Sequence, residues 1–271
     1  MSDDTYEAFA IRYARVDRNA AENFLGGDPH DAPMPLNYYV WVVRNRLRTI
    51  VIDTGFDERG ARLRQRTILN PVAEGLEALG VDRDAVSDVV ITHMHYDHAG
   101  NDGLLANATF HLQDREMAFA TGRCMCHPQM NHPYEIEDVT TMVRRVYAGR
   151  VCFHDGESEL YPGITLHHMG GHSRGLQAVR VKTRRGHVVI ASDVAHHYAH
   201  LNEGRVFPVV DSVADVLEGY RRVKALASSD AHVIPGHDPL VAELYPPQSP
   251  TLGQWIVRLD EAPRPMPTAT R

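Results

Sequence analysis

Six consecutive residues, His93-Met94-His95-Tyr96-Asp97-His98, constrain this chain more than any other feature. They follow the apolar run Val89-Val90-Ile91 directly, and such a run reads as a buried strand. The strand would deliver four ligand-type side chains to one rigid point. His93 and His95 are two apart and face the same side of an extended backbone, and Asp97 and His98 follow where the chain turns. Four ligands close one metal site, but catalysis needs an open coordination position, so more donors are expected downstream. Three candidates each follow a strand: His172 in Met169-Gly170-Gly171-His172-Ser173, Asp193 after Val188-Val189-Ile190, and His237 in Ile234-Pro235-Gly236-His237-Asp238. The fold must therefore bring several strand ends to a common edge.

Composition agrees with metal chemistry and excludes little else. Seventeen histidines in 271 residues is a high count, and many are clustered. A formal net charge of -7 argues against nucleic acid as a partner. The start, Met1-Ser2-Asp3-Asp4, lacks the basic and apolar regions of a secretory signal. No apolar run approaches the roughly 20 residues of a membrane span. Three cysteines make a poor disulfide framework, and Cys124-Met125-Cys126-His127 reads as ordinary thiols or a redox-sensitive loop before it reads as a metal-ligand pair. These features predict a cytoplasmic protein with a small-molecule substrate and no nucleic-acid or membrane partner.

Strands are expected over 38–43, 48–53, 87–92, 108–112, 164–168, 178–183, 188–192 and 232–234, with a hairpin turn at Arg184-Arg185-Gly186. Helices are expected over 71–79, from Asp114 onward, and over 213–227. The segment 122–134, or 120–135 at its widest, shows no periodicity and reads as a loop insertion. Its Met125, Pro128, Met130, Pro133 and Tyr134 suit either the wall of an apolar pocket or an oligomer contact. The end from Ala262 reads as frayed. Tyr245 and Trp255 read as packing aromatics, with a homodimer contact as the alternative. Strands alternate with helices throughout, which predicts the α/β class, with a hint of two similar halves.

The ordered set H-x-H-x-D-H, G-H-S, S-D and P-G-H resembles the metallo-β-lactamase-fold superfamily. Asp53-Thr54-Gly55 is similar to that superfamily's early strand-end motif. The resemblance spans residues 53 to 238. It implies a four-layer αββα sandwich, here a single domain over 1–271, with the site at one edge of two sheets. It also implies that His93, His95 and His172 bind a first metal and Asp97, His98 and His237 a second. Asp193 would bridge the two ions, set roughly 3.5–4 Å apart. Asp53 would stand behind the ligands, holding a histidine through its free ring nitrogen. Nitrogen and oxygen donors without cysteine suit two zinc ions per chain, with iron, manganese or cobalt as other candidates.

A bridging aspartate is unlike the β-lactamases proper and resembles the lactonase and glyoxalase II branches. Three features resemble the N-acyl-homoserine lactonases: H-x-H-x-D-H-A-G followed by Asn101, the stretch Gly171-His172-Ser173-Arg174-Gly175-Leu176-Gln177, and the 44-residue interval from Asp193 to His237. One position departs. That group places a tyrosine three residues after the bridging aspartate, and here His196 stands there, followed by His197, Tyr198 and His200. His196 and Tyr198 are the candidate substrate contacts; a solvated histidine-rich loop is the alternative. The reaction implied is the opening of an N-acyl-homoserine lactone or related cyclic ester by a hydroxide bridging two metals, with Asp97 or Asp193 passing a proton to the leaving group. A glyoxalase II-like thioesterase and a mononuclear iron protein acting on sulfur species are the other readings. The stretch after Leu240 leaves little room for the basic extension of a glyoxalase II, and the acidic balance disfavours a phosphodiesterase or ribonuclease.

Overall fold

The computed structural model describes residues 4–101 and 103–265. Residues 1–3 of the acidic start, and the tail beyond Pro265, lie outside the described residues. Two sheets form the centre. The first contains β1 (Glu7–Val16), β2 (Leu36–Arg44), β3 (Thr49–Ile52), β4 (Thr67–Ile68), β5 (Asp88–Val90), β6 (Thr109–Gln113), β7 (Val151–His154) and the last strand, β13 (Ile256–Arg258). Its order is β13-β1-β2-β3-β5-β6-β7, with β4 paired to β1. The second contains β8 (Glu157–Tyr161), β9 (Ile164–His168), β10 (Gln177–Thr183), β11 (Gly186–Ser192) and β12 (Val233–Pro235), in the order β12-β11-β10-β9-β8.

Three apolar clusters show how the layers stack. Trp41, Ile50, Ile52 and Val90 of the first sheet meet Leu166, Val179, Val188 and Ile190 of the second in one fully buried cluster. On the outer face of the first sheet, Phe9, Ile11 and Val89 pack against Leu76 of α3 (Val72–Ala78), Phe119 of α5 (Asp114–Ala120) and Met142 of α7 (Ile136–Tyr147). On the outer face of the second, Val189 and Ala191 pack against Val216, Tyr220 and Val223 of α9 (Val213–Leu226). The order is helix, sheet, sheet, helix, the four-layer αββα sandwich expected from the resemblance. Strands buried on both faces read as continuous apolar runs, which is why Val89-Val90-Ile91 and Val188-Val189-Ile190 are legible in the sequence.

The expected hairpin forms with Thr183 opposite Gly186, whose φ of 121° favours glycine. The expected strand over 232–234 is shifted by one residue, because His232 closes a 3₁₀ turn and hydrogen-bonds to the Arg185 carbonyl. Residues 122–134 are not irregular throughout: Arg123–Cys126 forms a 3₁₀ turn and Pro128–Asn131 a short helix, α6. Of the tail, 262–265 is irregular, yet Arg264 N–H donates to the Leu244 carbonyl at 2.8 Å. Tyr245 is buried in the inter-sheet core and Trp255 packs beside the first sheet, as packing aromatics would. Among the described residues, no helix is long and apolar enough to cross a membrane.

Candidate metal centre

Strand ends deliver the candidate donors. The residues His93 to His98 run from the end of β5 into α4 (Tyr96–Ala99). His172 lies in the turn between β9 and β10, Asp193 directly after β11, and His237 just after β12. Two strand ends turn sharply through left-handed backbone at non-glycine residues, Asp53 (φ 60°) and Ser192 (φ 48°). Such conformations cost of order 1–3 kcal/mol and concentrate at functional sites. At Ser192 the turn aims the next side chain, Asp193, into the cavity between the sheets' edges.

The Asp193 carboxylate divides the donors into two groups. Its Oδ2 lies 3.2 Å from His172 Nε2 and 3.8 Å from His93 Nε2. Its Oδ1 lies 3.0 Å from His237 Nε2 and 3.3 Å from His98 Nε2. His95 joins the first group, with Nδ1 3.0 Å from His93 Nε2 and 2.9 Å from His172 Nε2. Asp97 joins the second, with Oδ2 3.6 Å from His98 Nε2 and 3.7 Å from His237 Nε2. All seven expected ligands thus converge, in two clusters that share one carboxylate.

The rear ring nitrogens are held by acceptors. His98 Nδ1 is 2.7 Å from Asp53 Oδ2, His172 Nδ1 2.7 Å from the Val209 carbonyl, and His237 Nδ1 2.9 Å from the Asn37 carbonyl. Each contact places the proton on Nδ1 and leaves the Nε2 lone pair facing inward, the arrangement seen behind metal-ligating histidines. Asp53 also accepts from Thr92 N–H at 2.7 Å and from Thr92 Oγ1 at 2.8 Å, which ties the end of β3 to the end of β5.

Electrostatics and hydrogen bonding both indicate missing positive charge. His98 Nε2 and Asp193 Oδ1 are buried without a hydrogen-bond partner. Burial, reinforced by neighbouring imidazoles, holds His93 and His95 well below the usual histidine range, so both are neutral donors. Burial also opposes charge on His98 and His237, but surrounding carboxylates, Asp193 foremost, outweigh it and raise both. Asp193 is held well below the usual carboxylate range despite burial, by His237, His196 and His98. Five imidazoles and two carboxylates, with no thiol among them, fit zinc-type divalent ions.

The remaining expected residues separate. His196 is brought to the centre: its Nε2 is 3.1 Å from Asp193 Oδ2, and its ring stacks on Phe207 at 3.6 Å and 12°. Tyr198 is not. It opens α8 (Tyr198–Glu203) and lies in the inter-sheet core, hydrogen-bonded to Tyr245. The run 196–200 is no solvated loop, since all three of its histidines are buried. His197 Nε2 is 3.2 Å from the Pro35 carbonyl and His200 Nε2 2.9 Å from the Asn23 carbonyl, so these two rings anchor α8. Cys124 and Cys126 are free and join no metal-type group among the described residues; the third cysteine, Cys152, lies near His111 and His154 away from this centre.

Two further features of the site carry no sequence signal. Glu116 of α5, fully buried, accepts from Met94 N–H at 2.8 Å, Tyr134 Oη at 3.1 Å, Ser173 Oγ at 2.7 Å and Gly175 N–H at 2.9 Å. One carboxylate thereby joins the His93–His98 loop, the 122–134 segment and the His172 loop. Tyr38 and Tyr96 share a 3.2 Å contact between hydroxyls, and the Tyr38 ring meets His237 edge-on at 5.2 Å. Burial pushes the Tyr96 hydroxyl up to about 12 and Tyr38 well above the usual range, so both stay protonated. A glutamate in a short helix and a tyrosine in an apolar strand are ordinary residues by local pattern; only contact marks them.

Two hollows open beside the centre. One, of about 470 Å³, is bounded by His95, Asp97, His196 and His237, by Tyr38 and Tyr96, and by Arg18, Arg64 and Arg66. The other, of about 430 Å³, runs from His95 and His172 along Phe119, Pro128, Met130, Pro133, Val209 and Val210. Of the residues expected to wall a pocket in the 122–134 segment, Pro128, Met130 and Pro133 line this groove, and Met125 and Tyr134 do not.

Gly236 packs directly behind the shared carboxylate. A Cβ there would lie 2.6 Å from Asp193 Oδ1 and 2.9 Å from the Ser192 carbonyl. Gly236→Ala is expected to weaken divalent-metal affinity by roughly 10- to 100-fold, the scale of damage to a group that orients a ligand. Competition with a chromophoric chelator measures this, and unchanged affinity would show that Asp193 does not need its present position.

The family described as the metallo-beta-lactamase superfamily matches residues 33–237. The N-acyl homoserine lactonase of Bacillus thuringiensis is 24% identical over 227 residues, covering 75% of this chain and 82% of its own. A solved quorum-quenching N-acyl homoserine lactone lactonase superposes with a TM-score of 0.73 at 20% identity, over 88% of this chain and 94% of its own. AidC, a dizinc quorum-quenching lactonase solved with its product, gives 0.67 at 15% identity, over 86% and 87% of the two chains.

Proposed function

From a chain that belongs to the metallo-β-lactamase superfamily, and so is a metal-dependent hydrolase, we propose a lactonase that holds two zinc ions and opens an N-acyl-homoserine lactone or a related cyclic ester. The observation that carries this reading is the apolar groove bordering His95 and His172. A groove of that volume beside a hydrolytic centre suits an acyl arm, with the ester carbonyl placed over the donors. The relatives named above are lactonases, which supports the same substrate class.

His93, His95 and His172 would hold one ion, Asp97, His98 and His237 the other, and Asp193 both. Ions so held supply a nucleophile from water near neutral pH and an electrophilic contact for the carbonyl oxygen. The chain's own groups do the rest. Asp97 stands in the cavity wall, where its carboxylate can take the proton released by the attacking water and pass it to the departing alkoxide, while Asp193, held ionised, would serve as a ligand. His196, pinned against Phe207, holds Asp193 Oδ2 in place. Tyr38, kept protonated by burial, offers a hydroxyl in the cavity on the His237 side. The Tyr96 hydroxyl on the same wall is engaged by Arg66, and Tyr198 faces the core.

The test is a panel of lactones with graded acyl chains, run beside thioesters and phosphodiesters on protein of measured metal content. Lactones should be turned over in preference. Their kcat/KM should rise up to about fourfold per methylene until the groove is filled, from roughly 0.8 kcal/mol per buried CH₂. Absence of lactone turnover removes the proposal while leaving the fold intact. About one iron per chain would instead remove the dizinc assignment.

A further inference from the structure

The wall of the larger hollow carries a charge that a neutral lactone does not use. α2 (Glu58–Arg64) ends at Arg64, Gln65 takes a left-handed φ of 54°, and Arg66 follows. This turn leaves Arg64 and Arg66 half-buried on the cavity wall that also holds Asp97 and His237. Both side chains are held still by neutral groups. Arg64 donates to the His132 carbonyl and, at 2.8 Å, to the Tyr134 carbonyl, and it lies 4.7 Å from the centre of the Tyr96 ring. Arg66 donates from Nε to Tyr96 Oη at 3.0 Å and from Nη1 to the Arg64 carbonyl at 2.6 Å.

Neither guanidinium forms an ion pair with a carboxylate among the described residues. Their neighbours do: Arg18 pairs with Glu22, Arg59 with Glu135, and Arg62 with Glu58. Asp97 on the same wall favours the Arg66 charge from a distance, but in a chain of net charge -7 two guanidinium groups without an ion pair on one half-buried wall still run against the overall balance. Partial burial of an unpaired charge is unfavourable and is relieved by a counter-ion. Two divalent ions in the centre would make the hollow more positive still. A planar guanidinium with donors to spare matches a carboxylate. Asp17 and Glu22 on the same wall favour a monoanion over a more highly charged group.

We propose that this lobe binds a carboxylate of the substrate, so that the preferred substrate is a lactone bearing an acidic group on the side of the ring away from the apolar groove. The proposal rests on the lactonase reading above and narrows it. Arg66 is its principal contact, and Arg64 a positioning residue that supports the lobe through the His132 and Tyr134 carbonyls.

A matched pair tests it: a γ-butyrolactone carrying a ring carboxylate, and the same lactone carrying a carboxamide. On metal-loaded protein, kcat/KM should favour the acid by roughly 10- to 100-fold, the range of one charge-assisted contact. Arg66→Gln should remove most of that preference, chiefly through KM, and cost the acid far more than the amide. Equal turnover of acid and amide, or equal losses for both in the variant, would overturn the proposal. A binding measurement keeps the two readings apart. Calorimetry with cyclopentanecarboxylate and cyclopentanecarboxamide, which have no ring ester to open, should show acid-selective binding to the folded wild type that Arg66→Gln loses. If neither lactone is turned over but this selectivity is present, the lactonase reading fails and the anion lobe stands. Acid binding that survives in Arg66→Gln would mean that the metals alone hold the acid, and the lobe assignment falls.

Discussion

Replacing Asp193 by alanine is expected to lose metal and activity together. Its two oxygens face different histidine groups, Oδ2 toward His93 and His172 and Oδ1 toward His98 and His237. Without it, five imidazoles converge with Asp97 as the remaining carboxylate, and the like charges of two adjacent cations would no longer be offset. The loss should exceed the roughly 10- to 100-fold that follows removal of an outer-shell partner. Elemental analysis and lactone turnover on the same preparation measure it. A variant that keeps both ions and its activity would refute a bridging role. Asp193→Asn separates charge from shape: it preserves the packing against Gly236 and His196 but not the charge, so it too should bind metal poorly.

Glu116→Ala should produce the largest loss of stability. The carboxylate is fully buried and accepts from four groups on three separate segments. Removing it strands buried donors at about 1–3 kcal/mol each, so a loss of at least about 3 kcal/mol is expected, read as a fall in the urea midpoint. The same change frees the loop of His93 and His95 from that of His172, so metal affinity should fall as well. Glu116→Gln keeps an acceptor and the volume, and should recover part of both. A Glu116→Ala protein as stable as wild type would show that the loops are held by the sheets alone. Gly175 confirms how close the approach is, since a Cβ there would lie 2.1 Å from the Glu116 amide nitrogen.

The inner strands are legible in the sequence because burial on both faces demands unbroken apolar runs. The histidines and aspartates after them stand out because donors at strand ends have few structural uses. β1 is not legible, although it is the longest strand. Its sequence pairs small residues, Ala8 and Ala10, facing the other sheet with large ones, Phe9 and Ile11, facing helices, so neither a simple alternation nor an apolar run marks it. The 122–134 segment lacks periodicity because its helical turns are single turns, too short for a repeat to show. Tyr198 departs from expectation for a related reason. A position three or five residues after a ligand is a distance along the chain, and the direction of a side chain there depends on the helix that begins at Tyr198.

The cluster at His93–His98 and its three distant partners were determined by sequence alone, because ligand chemistry restricts residue type and a strand end restricts position. The same holds for the α/β class, since strand and helix periodicities are local. Only the tertiary structure decided which Asp193 oxygen serves which group, that Glu116 ties three segments together, and that Tyr38, Arg64 and Arg66 stand at the cavity while Tyr198 does not. Those facts depend on contacts between segments far apart in the chain, such as Glu116 with Gly175 or Tyr38 with His237. Local pattern carries no record of such contacts, and packing of the two sheets creates them.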